Sequence, residues 1–216
     1  LLNDTFMNYN YPEVGRAAVE LLEAAGQNVV LANAMCCGRP MISKGMLDEA
    51  AANARYNVDL LHAYADQGIP IIGCEPSCLL TLRDEYPEFV KDEKAKKVAE
   101  QSYLIDEYLM LLHGRGELDL RFRDEAKKVL FHGHCHQKAL AGTASSLGAL
   151  RLPPGWEVEL VNAGCCGMAG SFGFEKEHYD ISMTIGGHAL FPAVNAKGSD
   201  WEIAVMGVSC RQQIED

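Results

Sequence analysis

Cys36-Cys37-Gly38 and Cys165-Cys166-Gly167 divide the chain into two similar halves and hold most of its candidate chemistry. Each triplet follows a short apolar segment, residues 29–31 in the first half and residues 156–161 in the second. Adjacent cysteines cannot form a relaxed disulfide with each other, since their Cα atoms are too close for ordinary bridge geometry. A doublet repeated at matching points of two halves therefore predicts ligands to a metal ion or an iron–sulfur cluster.

The composition is that of an ordinary globular protein. Hydrophobic residues make up 48% and charged residues 23% of the 216 positions, which excludes a disordered chain. The formal net charge of −11 argues against nucleic acid or anionic lipid as a partner, because both select a basic surface. No stretch approaches the roughly 18 continuous apolar residues of a membrane span, and no signal-peptide pattern is visible.

The eight cysteines could in principle form four disulfides. A secreted disulfide scaffold is usually short and rich in loops, whereas this chain carries long helical patterns. The cysteine pattern fits reduced thiols that bind metal better than it fits a set of disulfides. We therefore expect a cytoplasmic protein that could reach the membrane periphery only through partners. The chain begins at Leu1 in what resembles the end of a strand, and we expect a catalytic part elsewhere in a longer polypeptide.

Helical and extended patterns alternate along the chain. One predicted helix begins at Pro12, and three others cover residues 46–65, 137–147 and 175–190. A further helix is predicted from the charged segment 91–97 to Leu112. The predicted strands are residues 29–31, 69–73, 128–131, 156–161 and 202–206. This alternation implies right-handed crossovers and mainly parallel sheets. The predicted fold class is α/β, with two pseudo-symmetric Rossmann-like halves, 1–115 and 116–216.

The second half places four cysteines just after the carboxyl ends of predicted strands: Cys135, Cys165, Cys166 and Cys210. In open α/β sheets that edge is where loops converge and ligands bind. Four converging thiolates suit a tetrahedral zinc ion or an iron–sulfur cluster. A doublet suits a multi-iron cluster particularly well, because its adjacent sulfurs can bind different irons.

The motifs resemble those of the duplicated cysteine-rich CCG domain found in a heterodisulfide reductase subunit and in the glycolate oxidase iron–sulfur subunit. The resemblance is stronger to the C-terminal region of FAD-binding D-lactate and D-2-hydroxyglutarate dehydrogenases, and it covers the whole chain. The segments that carry it are Asp4-Thr5-Phe6, Pro12-Glu13-Val14-Gly15, Cys36-Cys37-Gly38-Arg39-Pro40, Glu75-Pro76-Ser77-Cys78, His132-Gly133-His134-Cys135-His136-Gln137-Lys138, Gly164-Cys165-Cys166-Gly167-Met168-Ala169-Gly170-Ser171-Phe172-Gly173 and Ser209-Cys210-Arg211.

The resemblance implies an electron-transfer domain. A flavin domain or partner subunit would oxidise a 2-hydroxyacid, and iron–sulfur centres would carry electrons from its FAD to another cluster, a quinone or a soluble acceptor. It implies a [4Fe–4S] cluster, of cubane or non-cubane form, held by Cys135, Cys165, Cys166 and Cys210. The chain contains no recognisable flavin-binding loop or hydroxyacid base, so we expect no turnover by this part alone.

The sequence departs from the family pattern of one cysteine, a Cys-Cys pair and a Cys-x-x-Cys motif. In the first half the leading cysteine is replaced around Asp4-Thr5, Glu75 stands at another cysteine position, and Cys74 is out of register. That half could hold a zinc or iron ion, or nothing. Its candidate ligands are Cys36, Cys37, Cys78, Glu75 and Asp4. In the second half only Cys210 represents the final pair.

Basic and aromatic-ring residues flank the candidate ligands. His132, His134 and His136 alternate around Cys135, and an imidazole there could bind metal or tune a cluster, or simply bond to backbone. Arg39 and Arg211 could offset the negative charge of a thiolate-bound centre, or form surface ion pairs.

Two other functions stay open at this stage. One is a zinc-stabilised, non-redox scaffold that docks the flavin domain. The other is a thiol–disulfide or sulfur-handling enzyme, which the absence of a Cys-x-x-Cys motif disfavours.

Overall fold

The computed structural model describes residues 1–215, and the contacts divide the chain into two compact units, Leu1–Leu120 and a second that begins at Arg121. The helices are α1 Thr5–Tyr9, α2 Pro12–Ala24, α3 Arg39–Ser43, α4 Leu47–Ala65, α5 Pro76–Arg83, α6 Glu85–Val90, α7 Glu93–Glu100, α8 Ile105–Arg115, α9 Cys135–Leu140, α10 Ala144–Leu150, α11 Tyr179–Asn195 and α12 Val208–Glu215. The strands are β1 Ile71–Gly73, β2 Ser102–Leu104, β3 Lys127–His132, β4 Trp156–Leu160 and β5 Trp201–Val205. The predicted α/β class with open parallel sheets is confirmed.

The second unit is built on a three-stranded parallel sheet in the order β4-β3-β5. The central strand β3 ends at His132, which lies opposite Val205 at the end of β5. Because all three strands run in the same direction, their carboxyl ends meet at one edge of the sheet. The segments that follow these ends carry the second-half cysteines, so one edge collects them all.

The first unit has the same kind of sheet in a smaller form. Its strands β1 and β2 pair in parallel. The start of the chain extends the pairing, since the Leu2 N–H donates to the Ile72 carbonyl at 2.7 Å. The N-terminal ammonium of Leu1 donates in turn to the Val30 carbonyl at 2.6 Å.

Three of the predicted elements differ in the structure. Residues 29–31 are not a strand, and Val30 and Leu31 are exposed, because only isolated hydrogen bonds to Leu1 hold this segment. The helix predicted from residue 91 to Leu112 is two helices, α7 and α8, on either side of the short strand β2. The helix predicted at residues 137–147 is also divided into α9 and α10, at Gly142, whose φ of +75° ends a right-handed helix.

The core of the second unit lies directly beneath the sheet edge that carries the cysteines. Leu130, Cys166, Leu190 and Cys210 belong to one buried cluster, with α11 covering it. Among residues 1–215, no helix is both long enough and apolar enough to cross a membrane.

We predict that Leu190→Ala destabilises the second unit by about 2–5 kcal/mol, because it opens a cavity at a side chain that is 0% exposed. Urea unfolding followed by tryptophan fluorescence measures this, since both tryptophans, Trp156 and Trp201, lie in the second unit. The matched control is Ile181→Ala on the same helix, where the side chain is 51% exposed. Equal loss of stability in the two variants would contradict the packing described.

Candidate metal centre

The four second-half cysteines form a continuous row of sulfur contacts. Cys135 contacts Cys165, Cys165 contacts its neighbour Cys166, and Cys166 contacts Cys210. All eight cysteines of the chain lie in the described range and are free thiols. The structure therefore brings together, from three separate loops, the four side chains that the sequence predicted as cluster ligands.

The row is buried at one end and accessible at the other. Cys166 and Cys210 are 3% and 1% exposed, whereas Cys135 and Cys165 are half-buried. The direction of the pKa shift also alternates along the row. Thiol hydrogen bonds from Cys135 and Cys166 hold the pKa of Cys165 far below its usual value, and a hydrogen bond from Cys166 lowers the pKa of Cys210. The two donors, Cys135 and Cys166, have raised pKa values for the same reason and because they are desolvated.

Backbone N–H groups point at three of the four sulfurs. The N–H of Gly167 donates to Cys165 Sγ at 3.3 Å. The N–H groups of His136 and Met168 act in the same way on Cys135 and Cys166. Such donors stabilise sulfur in its anionic form, which is the form that binds a metal.

Gly167 is the residue that lets the doublet loop lie against α11. Its φ is +104°, and a Cβ at this position would stand 2.2 Å from the Ser182 carbonyl oxygen. Gly170, three positions later, also has a positive φ of +70°, but a Cβ there would meet nothing within 4 Å. The two glycines therefore serve different needs, since only Gly167 is required by close packing.

Ser182 and Gln213 are site residues that the sequence interpretation missed. The Ser182 hydroxyl donates to Gln213 Oε1 at 3.3 Å, and Gln213 Nε2 donates back to the Ser182 carbonyl at 3.3 Å. Both residues are buried, and they join α11 to α12 beside the doublet loop. The only sequence signal was a polar residue on the apolar face of each helix.

The histidines around Cys135 have different roles. His134 is the N-cap of α9, where its Nδ1 accepts the N–H of His136 at 3.2 Å, and burial lowers its pKa. His134 thus caps α9 through a backbone hydrogen bond, and burial favours its neutral form. His132 is 0% exposed, and its imidazole helps to hold down the pKa of Cys210. Arg211 forms an ion pair with Glu215 at 2.8 Å, one turn along α12.

The first half repeats the row with one replacement. Cys36 contacts Cys37, and Cys37 contacts Cys78. At the outer end the hydroxyl of Thr5 contacts Cys36, where the second half has Cys135. The sequence placed the lost cysteine around Asp4-Thr5, and the structure assigns it to Thr5.

The carboxylates of the first half cap helices beside the row. Asp4 Oδ1 accepts the N–H groups of Phe6 and Met7 at the start of α1, and Glu75 Oε1 accepts the N–H of Ser77 at the start of α5. Burial raises the pKa of Asp4 to about 6, and its Oδ2 has no hydrogen-bond partner within residues 1–215.

The three thiols of the first-half row all have raised pKa values, whereas two of the four in the second half have lowered ones. The pKa of Cys78 is raised, because burial and the carboxylates of Glu75 and Asp4 outweigh a hydrogen bond from Cys37. The pKa values of Cys36 and Cys37 are raised as well. The charged groups near Cys74 include the carboxyl groups of Asp4, Glu75 and Asp106 and the N-terminal ammonium of Leu1.

Polar side chains hold the first doublet loop from α4 and α6. Asn53 Nδ2 donates to the Cys36 carbonyl at 3.1 Å, and the Tyr86 hydroxyl donates to the Cys37 carbonyl at 3.1 Å. Arg39, just after the doublet, binds Thr81 Oγ1 at 3.0 Å and forms an ion pair with Glu85. Arg39 is thus engaged by an ordinary ion pair.

The sequence is similar to a known domain family and to several known proteins. Residues 5–83 match the family model of the CCG cysteine-rich domain, which confirms the resemblance inferred from the motifs. The chain is 34% identical over 212 residues to a subunit of the anaerobic glycerol-3-phosphate dehydrogenase of Escherichia coli (strain K12), covering 97% of this chain and 52% of that protein.

Two further relatives extend the comparison. D-2-hydroxyglutarate dehydrogenase of Escherichia coli (strain K12) is 29% identical over 217 residues, which are 100% of this chain and 20% of that protein. Lactate utilization protein A of an Exiguobacterium species is 27% identical over 191 residues, covering 84% of this chain and 74% of that protein. The chain thus spans about half of the first relative and a fifth of the second.

We predict that Gly167→Ala is more damaging than Gly170→Ala, although both replace a glycine of positive φ. Both variants strain the backbone, the φ of +104° at Gly167 more than the φ of +70° at Gly170, and only Gly167→Ala adds the overlap with Ser182, worth about 1–3 kcal/mol. Urea unfolding followed by tryptophan fluorescence gives the two free energies of unfolding. Equal values would show that the doublet loop does not depend on this close approach.

Proposed function

We propose, from the CCG cysteine-rich domain at residues 5–83 and the four-sulfur row of the second half, that this protein is an iron–sulfur electron-transfer domain of a flavin-dependent oxidoreductase. The observation that carries the proposal is the contact of Cys135, Cys165, Cys166 and Cys210 at one sheet edge. A cluster bound there supplies one-electron transfer. We place the protein in the cytoplasm, because its free thiols need a reducing compartment.

The second-half residues fit an iron–sulfur cluster in their chemistry. All four donors are sulfur, which suits iron–sulfur clusters and zinc alike. Two of the four have lowered pKa values, so half of the donor set already favours the thiolate form that metals require. Cys166 and Cys210 would hold the buried side of a [4Fe–4S] cluster, in cubane or non-cubane form, and Cys135 with Cys165 the accessible side.

The residues around the row would bind and shield the centre. The N–H groups of His136, Gly167 and Met168 direct hydrogen bonds to the sulfurs, which influences the potential of a bound cluster. Leu190 and Met168 exclude water from the buried side. The half-buried Cys135 and Cys165 leave the other side open to a redox partner.

The names of two relatives support a proposal for the electron donor. One is named as a glycerol-3-phosphate dehydrogenase subunit and another as a D-2-hydroxyglutarate dehydrogenase five times the length of this chain. We therefore propose that electrons come from FAD on a further domain or a partner subunit. That flavin would oxidise a 2-hydroxyacid or a related hydroxylated metabolite such as a polyol phosphate. Another iron–sulfur domain, a quinone or a soluble carrier would then accept the electrons.

The first half suits a single ion better than a cluster. Its donors are three thiols, Cys36, Cys37 and Cys78, with the carboxylates Asp4 and Glu75 close by. The unpartnered Asp4 Oδ2 is buried beside this set. Thiolate sulfur and carboxylate oxygen are both zinc ligands, and a structural zinc site takes four of them.

We predict that the protein purified without oxygen is brown and contains about four iron and four sulfide per second-half site. Iron, zinc and acid-labile sulfide assays on the whole chain, with a visible spectrum before and after dithionite reduction, test this. Bleaching on reduction indicates a redox-active cluster. A colourless protein that contains only zinc would overturn the proposal in favour of a docking scaffold.

We predict that Cys166→Ser removes most of the iron and sulfide, whereas the matched change in the other half, Cys37→Ser, leaves the cluster absorbance in place. The two residues occupy equivalent positions in the two rows and are both buried, so the general cost of the substitution is similar. Equal loss in both variants would contradict the assignment of the cluster to the second half.

A further inference from the structure

His132 is a buried imidazole that the proposed ligand set does not use. It is 0% exposed at the end of β3, and neither ring nitrogen forms a conventional hydrogen bond to a described residue. The group that its ring acts on is Cys210 at the buried end of the sulfur row. An imidazole placed in a core without a partner is costly, so a function specific to this half has to account for it.

The first half shows that the fold does not need an imidazole at this position. Leu2 stands three residues before Thr5, as His132 stands three residues before Cys135. Leu2 also pairs through its N–H with Ile72 of β1, just as the end of β3 pairs with β5. The two positions are equivalent, and the first half buries an apolar leucine where the second half buries a histidine.

Cys210 differs from the other three sulfurs in its hydrogen-bond donors. Backbone N–H groups of His136, Gly167 and Met168 serve Cys135, Cys165 and Cys166. On Cys210 the neighbouring groups are side chains, the Cys166 thiol and the His132 ring. Cys166 is itself one of the proposed ligands, so its sulfur is engaged by the centre when one is bound. His132 is then the donor left on the Cys210 sulfur.

We propose that His132 donates a ring N–H hydrogen bond to Cys210 Sγ, positions this sulfur as a ligand, and raises the reduction potential of the bound centre. The inference rests on the proposed iron–sulfur function and names a residue that acts on the cluster through its ligand. A donor to sulfur stabilises the more negative, reduced state, and hydrogen bonds to sulfur are among the factors that set cluster potentials. Because Leu2 is the equivalent residue, the first half should lack this effect.

The test uses the whole chain loaded with its cluster. His132→Leu copies the residue of the first half, and His132→Gln keeps an N–H donor of similar size. His113→Leu is the matched control, because His113 is exposed on α8 in the first unit. Iron and sulfide content is measured for each variant, followed by a redox titration monitored by electron paramagnetic resonance.

We expect all four proteins to bind the same amount of iron and sulfide. His132→Leu should shift the midpoint potential to more negative values, His132→Gln should restore part of the shift, and His113→Leu should match the wild type. An unchanged potential in a fully loaded His132→Leu protein would overturn the inference. Loss of iron from both His132 variants, with tryptophan fluorescence unchanged, would make His132 a metal ligand and also overturn it. Absence of iron from the wild type would instead remove the proposed function, and the inference with it.

Discussion

Parallel pairing of β3 with β4 and β5 is the constraint on which the candidate centre depends. It sends the carboxyl ends of three strands to one edge, so three loops far apart in sequence begin within reach of one another. The left-handed backbone of Gly167 and its close approach to Ser182 then fix the doublet loop against α11. Without the common strand direction, no arrangement of the loops alone would bring four thiols into contact.

The two halves share this construction but differ in the groups that surround it. Thr5 replaces Cys135 in the row, Asp4 caps its helix where His134 caps the other, and Leu2 stands where the second half has His132. Together these replacements change the charged and polar groups around the two rows. The first half gains carboxylates and raised thiol pKa values, and the second half gains imidazoles and thiols whose pKa values alternate.

Much of this could be predicted from sequence, because the signals were local and periodic. Alternating helix and strand patterns gave the α/β class, and the position of each cysteine after a strand gave the grouping of the second-half thiols. The features that the sequence patterns did not predict are short elements or contacts between distant parts of the chain. The strand β2 has three residues, Gly142 divides a continuous apolar pattern, and the bond between Ser182 and Gln213 joins distant helices. Hydrophobic periodicity carries no information about such tertiary contacts.

The sulfur row is sealed by the core at the Cys210 end and open to water at the Cys135 end. The candidate centre therefore has one accessible face, at Cys135 and Cys165, which we call its front, and one buried face at Cys210. Oxidants, alkylating reagents and chelators must enter from the front, so damage would begin at Cys135 and Cys165 and progress inward. In the proposed function an electron would leave for an external carrier through the same face, so the surface that serves electron transfer would also be the one most vulnerable to oxygen.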